Sequence, residues 1–533
     1  MAYSKSKWSE KTDTQLKSEL TEILRNSKST DGPTMKYILN PTVLTEGDLI
    51  RRERIGQKNE DKPRKIILMV GETGTGKSTL INAMVNYIMG VRWEHKMWLE
   101  VTEIPEDQTE SQTKAVTVYE VNAPSSPFVL TVIDTPGFGD TEVFDEDKRV
   151  SEALQQLFKS EDGIHEIHAV CIVLKGSDVR LHARQCYILD EILSLFGKDI
   201  EKHILLLFTH QEKQILPKRI MNFIKESFNK YVKNDEYVSF SFDNCQSDYI
   251  DQEDRESYKT SWNNGVENFR KFFNYVNEIN PKSLHMTEGV LRARKQLDAS
   301  VGNLRDRIRW AELKKQELEQ TKTALDKFEN YKEEQNNFQC VVDEPYKEAV
   351  PINASWMEWS KKATRCKVCE ENCHYPGCWW VRDLSWCSVM DEGKCTVCTG
   401  RCHYTKHVKD SKIYVPKTRK VTKTNDNLKE QYEEKVGEKK SLMAKIEKDI
   451  QQMEAEKIRL VEECYQCFDK LMETALKSTS ISSFIHLDFM IEKVKETGNQ
   501  ARVQKLEELK RRATEEHGGK VERLHAYTRQ MKI

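Results

Sequence analysis

Gly71-Glu72-Thr73-Gly74-Thr75-Gly76-Lys77-Ser78, followed by Thr79, stands between an apolar run, Lys65–Val70, and a helical pattern over Ser78–Ile88. It fits G-x-x-x-x-G-K-[ST] at every fixed position and has the strand–loop–helix setting that this pattern requires. Gly71, Gly74 and Gly76 let the backbone curl so that successive N–H groups face phosphate oxygens. The helix that follows adds the positive end of its dipole. Lys77 supplies a point charge between the β- and γ-phosphates, and the Ser78 hydroxyl is a ligand for Mg2+.

Further along, Asp134-Thr135-Pro136-Gly137 ends the apolar strand Phe128–Ile133. A carboxylate there holds the Mg2+ shell through water, and the Gly137 N–H can sense a γ-phosphate. Between these two elements, Ser111-Gln112-Thr113-Lys114 precedes the strand Ala115–Val121; Thr113 is expected to complete the Mg2+ coordination, with Thr109 as the alternative. Lys77 and Thr113 are therefore the expected catalytic groups. Glu72 is either a contributor or simply solvent-facing. The residue after Gly137 is Phe138, and an apolar side chain cannot orient a water, so slow hydrolysis is expected.

GETGTGKSTLIN, SQTK ahead of a strand, and DTPGFGDT together resemble the septin-related branch of P-loop GTPases, and within it the immunity-associated nucleotide-binding (IMAP-type) family, over roughly residues 63–280. The resemblance implies GTP or GDP with Mg2+ as ligands and nucleotide-dependent self-association through the G domain into a homodimer or oligomer. It also implies a guanine-reading motif after the strand His203–Phe208. Here that position reads Thr209-His210-Gln211-Glu212. A carboxylate at Glu212 suits the guanine N1–H and exocyclic amine, and the His210 ring suits stacking on the base, although both depart from the family's usual Lys and Asp. Asn244-Cys245 is a further candidate for the base edge.

The surrounding sequence predicts strands at Ile167–Leu174 and Tyr237–Phe242 and helices at Asp147–Phe158, Leu181–Phe196, Pro217–Tyr231 and Val266–Ile279. Such alternation gives an α/β, doubly wound, mostly parallel sheet over residues 63–280. Residues 1–62 read as a polar, partly disordered extension. From residue 284 to 338 Gly and Pro nearly vanish, and Leu297, Val301, Leu304, Ile308, Ala311, Leu318 and Leu325 form a narrow seam, as in a coiled coil. Residues 426–476 repeat this with Leu428, Tyr432, Leu442, Ile446, Met453, Leu460, Cys467 and Leu471. The two arms are expected to form an intramolecular hairpin, each extending roughly 75–80 Å at helical rise, with whatever lies between them at its tip. Residues 481–533 are expected to pack back as C-terminal helices on the arm or on the nucleotide domain.

Between the arms, residues 360–410 hold eight of the 14 cysteines. Cys366-x2-Cys369-x3-Cys373-His374-x3-Cys378 recurs 29 residues on as Cys395-x2-Cys398-x3-Cys402-His403-x3-His407. A Cys-to-His exchange at fixed spacing is what tetrahedral Zn2+ permits. The spacing suggests one structural zinc on Cys366, Cys369, Cys373 and Cys378 and another on Cys395, Cys398, Cys402 and His407. A cross-braced arrangement, or His374 and His403 as ligands, stays open, and Cys387 is spare. A basic run follows from Lys406 to Lys423, with Trp379, Trp380 and Trp386 nearby; it reads either as a solvated loop or as a surface for nucleic acid or anionic lipid.

With 84 basic and 86 acidic residues, the formal net charge of -2 gives no global argument for nucleic acid or a membrane as partner. The start MAYSKSKWSEK lacks an apolar h-region, TRQMKI lacks a prenylation box, and no apolar run spans a bilayer, so a cytoplasmic protein is expected. Three functions fit: a slow GTPase switch signalling through its arm, a nucleotide-binding scaffold whose arm recruits proteins, and a P-loop ATPase.

Overall fold

The structure, a computed structural model, describes residues 35–101, 115–124, 126–138, 143–176, 183–210, 238–244, 255–330, 339–352, 362–378, 381–424, 439–477 and 481–517, with scattered positions between 18 and 30. The chain divides into two units, one made mainly of residues up to Leu291 and one made mainly of Arg292–Glu473 and Ile481–Glu515. Thr113, Glu212, Cys245, Trp379, Trp380 and the expected helix Pro217–Tyr231 lie outside the described residues. Among the described residues no helix is long and apolar enough to cross a membrane.

The first unit is built on an eight-stranded mixed sheet. Its strands are β1 (Thr42–Glu46), β2 (Ile50–Ile55), β3 (Arg64–Gly71), β4 (Val116–Val121), β5 (Val129–Asp134), β6 (Ala169–Lys175), β7 (Ile204–Thr209) and β8 (Ser239–Ser241), in the spatial order β8-β7-β6-β3-β5-β4-β2-β1. The run from β8 to β5 is parallel; β4 is antiparallel to β5, β2 is parallel to β4, and β1 turns back on β2. Strand β3 is apolar and buried from Ile66 to Val70, as a central strand covered on both faces must be.

Helices α1 (Lys77–Met89), α2 (Val143–Lys159), α3 (Ala183–Ser194) and α4 (Arg255–Glu278) cover this sheet. Alternation along the strands sends Ile67, Met69, Leu130, Val132, Cys171 and Leu207 into one core with α1 and α4. That core is aromatic at α4: Phe269 stacks on Phe242 at 4.6 Å, Phe273 on Tyr87 at 5.4 Å, and Trp262 meets Trp93 and Trp98 edge-on. Trp262 explains why α4 begins eleven residues before the expected Val266: its buried ring holds the polar stretch Ser261–Gly265 in the helix.

Where a partly disordered extension is expected, residues 28–30 and 35–62 include strands. Strands β1 and β2 belong to the main sheet, while Lys28–Thr30 and Met35–Ile38 form a second sheet with Met97–Glu100. Charge hid them: Ile50-Arg-Arg-Glu-Arg-Ile55 is a strand whose Arg54 pairs with Glu120 across β4 at 3.1 Å.

The second unit contains α5 (His285–Asn330, from Arg292 onward), α6 (Lys439–Thr474, to Glu473), α7 (Ile481–Glu496) and α8 (Gln500–His517). Helices α5 and α6 run antiparallel, joined through Arg307–Glu456 and Lys315–Glu454. Helices α7 and α8 lie on them, with Arg305 over the Phe489 ring at 4.7 Å and Lys505 on Asp469 at 2.7 Å.

Between the arms runs a ribbon of two 13-residue strands, β9 (Gln339–Pro351) and β13 (Lys412–Thr424), paired antiparallel from Gln339↔Thr424 to Pro351↔Lys412. The expected position of the cysteine-rich block at the hairpin tip is therefore corrected. The ribbon returns alongside α5, through Gln320–Asp343, Glu317–Lys423 and Lys347 over the Trp310 ring. It sets the block against the earlier part of the helix, where Asn303 reaches Asn372, Gln296 reaches Ser388 and Arg292 reaches Met390. Most of the basic run is strand β13, and its charge is answered by the facing strand: Lys417 pairs with Glu348 at 2.6 Å and Arg419 with Glu344 at 2.7 Å.

Candidate functional site

In the first unit, β3 ends at Gly71 and the loop to α1 turns through two left-handed glycines, Gly74 at φ 79° and Gly76 at φ 84°. A Cβ on Gly71 would lie 2.6 Å from the Val173 carbonyl oxygen, so close packing of β3 on β6 demands glycine there. A Cβ on Gly74 would meet nothing within 4 Å, so this side of the loop is open. Lys77 is buried and donates to the carbonyls of Gly71 at 2.9 Å and Glu72 at 3.0 Å. Burial lowers its ammonium to about 8, against the opposing pull of Asp134 and Glu72.

Asp134 ends β5 next to β3 and is buried, while Thr135 donates to the Met69 carbonyl at 2.9 Å. The chain then lies along the loop. The Phe138 N–H donates to Gly71 at 3.1 Å, and the Thr73 N–H to Phe138 at 3.3 Å. Gly137 fits only as glycine, because its Cβ would come 2.3 Å from Thr73 Oγ1 and 2.7 Å from Thr73 Cα. Thr73 Oγ1 is itself buried without a hydrogen-bond partner. The Phe138 side chain is fully buried. The loop glycines, the open face at Gly74, and Lys77 and Asp134 fit a Mg2+-bound polyphosphate, with Ser78 at the first turn of α1.

Thr209 ends β7 and donates to the Thr75 carbonyl at 2.6 Å, so it ties the expected base-reading strand to the loop. His210 follows at φ 53°, with Nε2 3.6 Å from where a Cβ of Gly76 would be. The loop is thus flanked by an imidazole. Two asparagines escaped the sequence reading. Asn86 of α1 exchanges hydrogen bonds with Leu99 at 2.7 and 2.9 Å, and Asn82 accepts from the Val101 N–H at 2.9 Å. They pin the strand that leads into the segment containing Thr113.

Residues 65–257 match the AIG1 family. The chain carries an AIG1 family domain, that of the IMAP-type P-loop GTPases. The chain is also similar to structures of Toc33 from Arabidopsis thaliana. For the complex with Mg2+ and GMPPNP the identity is 16%, with 42% of this chain and 88% of that one covered at a TM-score of 0.30. For the complex with GDP and Mg2+ the identity is 15%, the coverage 42% and 89%, and the TM-score 0.30. A "Twitching motility protein" of Neisseria gonorrhoeae is 33% identical over 69 residues, 13% of this chain and 18% of that protein, so the match spans under a fifth of that protein's length. The P-loop fold of the AIG1 domain rests on its own strand order and loop.

In the second unit the cysteines converge, but not in the grouping that spacing suggested. Strand β10 (Ala363–Cys366) pairs antiparallel with both β11 (Glu371–His374) and β12 (His407–Asp410), and this sets Cys366 opposite His407. Each Cys-x2-Cys turn therefore meets donors of the other repeat. One set is Cys366, Cys369, Cys398 and Cys402; a second is Cys373, Cys395, Cys398 and His407; a third is His374, Cys378 and Cys387. The donors are grouped across the repeats: Cys373 and Cys378 leave the first repeat's set, Cys402 leaves the second's, and Cys387 lies with His374 and Cys378. His403 instead caps Thr405 and packs on Tyr404.

Backbone amides point at the sulfurs, as thiolates require: Cys369 N–H to Cys366, Cys398 N–H to Cys395, and Gly400 N–H to Cys369, at 3.3 to 3.4 Å. Cys369 and Cys402 sulfurs lie 3.6 Å apart, close to the roughly 3.8 Å edge of a tetrahedron with metal–sulfur bonds of about 2.3 Å. Buried His407 Nε2 makes no protein hydrogen bond, which suits a nitrogen aimed at a metal. Because Cys398 belongs to both sets, a bridging thiolate would give two metal ions four donors each.

Proposed function

We propose that this protein is a slow, Mg2+-dependent GTPase switch that pairs through its nucleotide domain and signals through the helical unit. The observation that carries the reading is the loop Gly71–Ser78: two left-handed glycines, a buried Lys77 and a neighbouring Asp134, at the carboxyl end of a parallel strand within an AIG1 family domain. In bound nucleotide, Lys77 would leave the Gly71 and Glu72 carbonyls for the phosphates. Ser78 and Asp134 would hold Mg2+, and Thr113 is the proposed switch residue. Thr209 positions the strand end that reads the base, with His210 beside the loop and Glu212 as acceptor for guanine. A second copy of the chain, docked on this face, would compensate for what the site lacks. Zinc in the cross-braced sets would serve as structural metal, since the ligands are buried except for half-buried Cys369 and Cys402, and no carboxylate belongs to any set.

Buried Phe138 favours a second reading, in which nucleotide is held and scarcely hydrolysed while the arm recruits protein partners. Single-turnover assays with GTP and with ATP separate these readings from each other and from an ATPase. Mass measurement with and without a non-hydrolysable GTP analogue tests pairing. Lys77→Ala is expected to abolish nucleotide binding; retained affinity in that variant would overturn the site.

A further inference from the structure

His374, Cys378 and Cys387 form a group that neither repeat's spacing accounts for, because Cys387 lies in the segment between the repeats. A short 3-10 turn, Leu384–Trp386, capped by Asp383 accepting from the Ser385 N–H at 2.9 Å, brings Cys387 back over β11. The Cys387 N–H then closes on Leu384 at 3.0 Å and its carbonyl accepts from Met390 at 2.9 Å. All three donors are buried, with Val381, Val389 and Met390 in the same cluster.

We propose that these three side chains hold a third zinc ion, separate from the two sets that share Cys398. His374 Nδ1 lies 3.4 Å from Cys387 Sγ and 3.7 Å from Cys378 Sγ. A tetrahedral zinc with bonds of about 2.3 Å to sulfur and about 2.0–2.1 Å to nitrogen predicts a nitrogen–sulfur edge of roughly 3.5 Å, which both distances bracket. Without a metal, one ring nitrogen would have to serve two sulfurs with a single proton or lone pair. With a metal, both approaches are edges of one coordination polyhedron. Two thiolates and an imidazole are the donors of a borderline-soft divalent ion, and zinc fits them best. Hydroxyls flank the remaining position, with Ser388 Oγ 3.3 Å from Cys378 Sγ and Thr364 Oγ1 3.8 Å from Cys387 Sγ. That position therefore falls to a solvent oxygen or to Ser388. Metal here would tie the loop between the repeats, which carries no donor of the cross-braced sets, to β11.

The inference rests on the reading of the block as a metal module, and metal content of the full chain separates the two. Purified with excess zinc and desalted, the chain is expected to carry about three metal ions by ligand count. Cys387→Ser should lose one of the three, and Cys387→His, which restores a ligand, should keep all three. Cobalt-substituted chain should lose only part of its thiolate-to-cobalt absorption in Cys387→Ser, which also shows that the remaining sites stay folded. About two ions per chain, unchanged in Cys387→Ser, overturns the third site alone; none at all overturns the metal module with it. An intact mass about 2 Da low under non-reducing conditions, restored in Cys387→Ser, would mark a Cys378–Cys387 disulfide and equally overturn the proposal.

Discussion

Lys77 and Gly137 are the residues whose substitution is most informative. Burial holds the Lys77 ammonium near 8 in the free loop, well below its usual value. Phosphate favours the charged form, so the bound-state value must lie above the free-state one. Below pH 8 Lys77 is protonated in both states and affinity is flat. Above it, binding must take up a proton, and Kd is expected to rise by at most about tenfold per pH unit. Titration of a fluorescent guanine nucleotide from about pH 6.5 to about 9 measures this slope, and a flat profile would mean that Lys77 does not meet the phosphates. Gly137→Ala probes the same loop from the other side. Its Cβ would press on the Thr73 backbone, and because backbone cannot rotate away, overpacking of about 1–3 kcal/mol is expected. A lowered thermal midpoint with weakened nucleotide binding is the expected result; an unchanged midpoint would show that the segment after Asp134 is not held against the loop.

Among the elements, the ribbon β9–β13 meets α5 through a buried ion pair as well as through Gln320–Asp343 and Lys347–Trp310. Glu317 and Lys423 are both almost fully buried, with Lys314 also on Glu317 at 2.6 Å. Glu317→Ala leaves Lys423 charged in the interior and is expected to cost on the order of 3 kcal/mol. Lys417→Ala, in a solvent-exposed cross-strand pair that water screens, should cost much less. Denaturant unfolding of the two variants compares them directly, and equal losses would count against the buried pair as the ribbon's anchor. That ribbon was illegible in the sequence for the same reason that β2 was. Both lean on cross-strand charges, such as Arg419–Glu344 and Arg54–Glu120, where a sequence reader looks for alternating apolar residues. The phosphate loop was legible because its glycines answer a local backbone demand within eight residues. The cysteine repeat was legible as a pattern, but its partition into sets was not. Which sulfur meets which depends on β10 pairing with strands on both sides, and Cys366 facing His407 is a contact between distant parts of the chain.

At the scale of the whole molecule, two units with separate cores are expected to answer to separate ligands. The first has a continuous apolar core around β3 and needs no metal to account for its packing. In the second, the cluster around Ala299 consists largely of the cysteines themselves, with Val381, Val389, Met390 and Val397. A core of that composition is expected to gain much of its stability from metal–thiolate bonds. Calorimetry of the full chain should therefore resolve two responses. Guanine nucleotide with Mg2+ should raise one transition, by about 2.7 kcal/mol at a hundredfold excess over Kd. A strong zinc chelator should lower or erase the other and leave the nucleotide-dependent shift in place. Chelation that also abolishes nucleotide binding would mean that the metal supports the AIG1 domain, and chelation that moves neither transition would mean that the cysteine cluster folds without it.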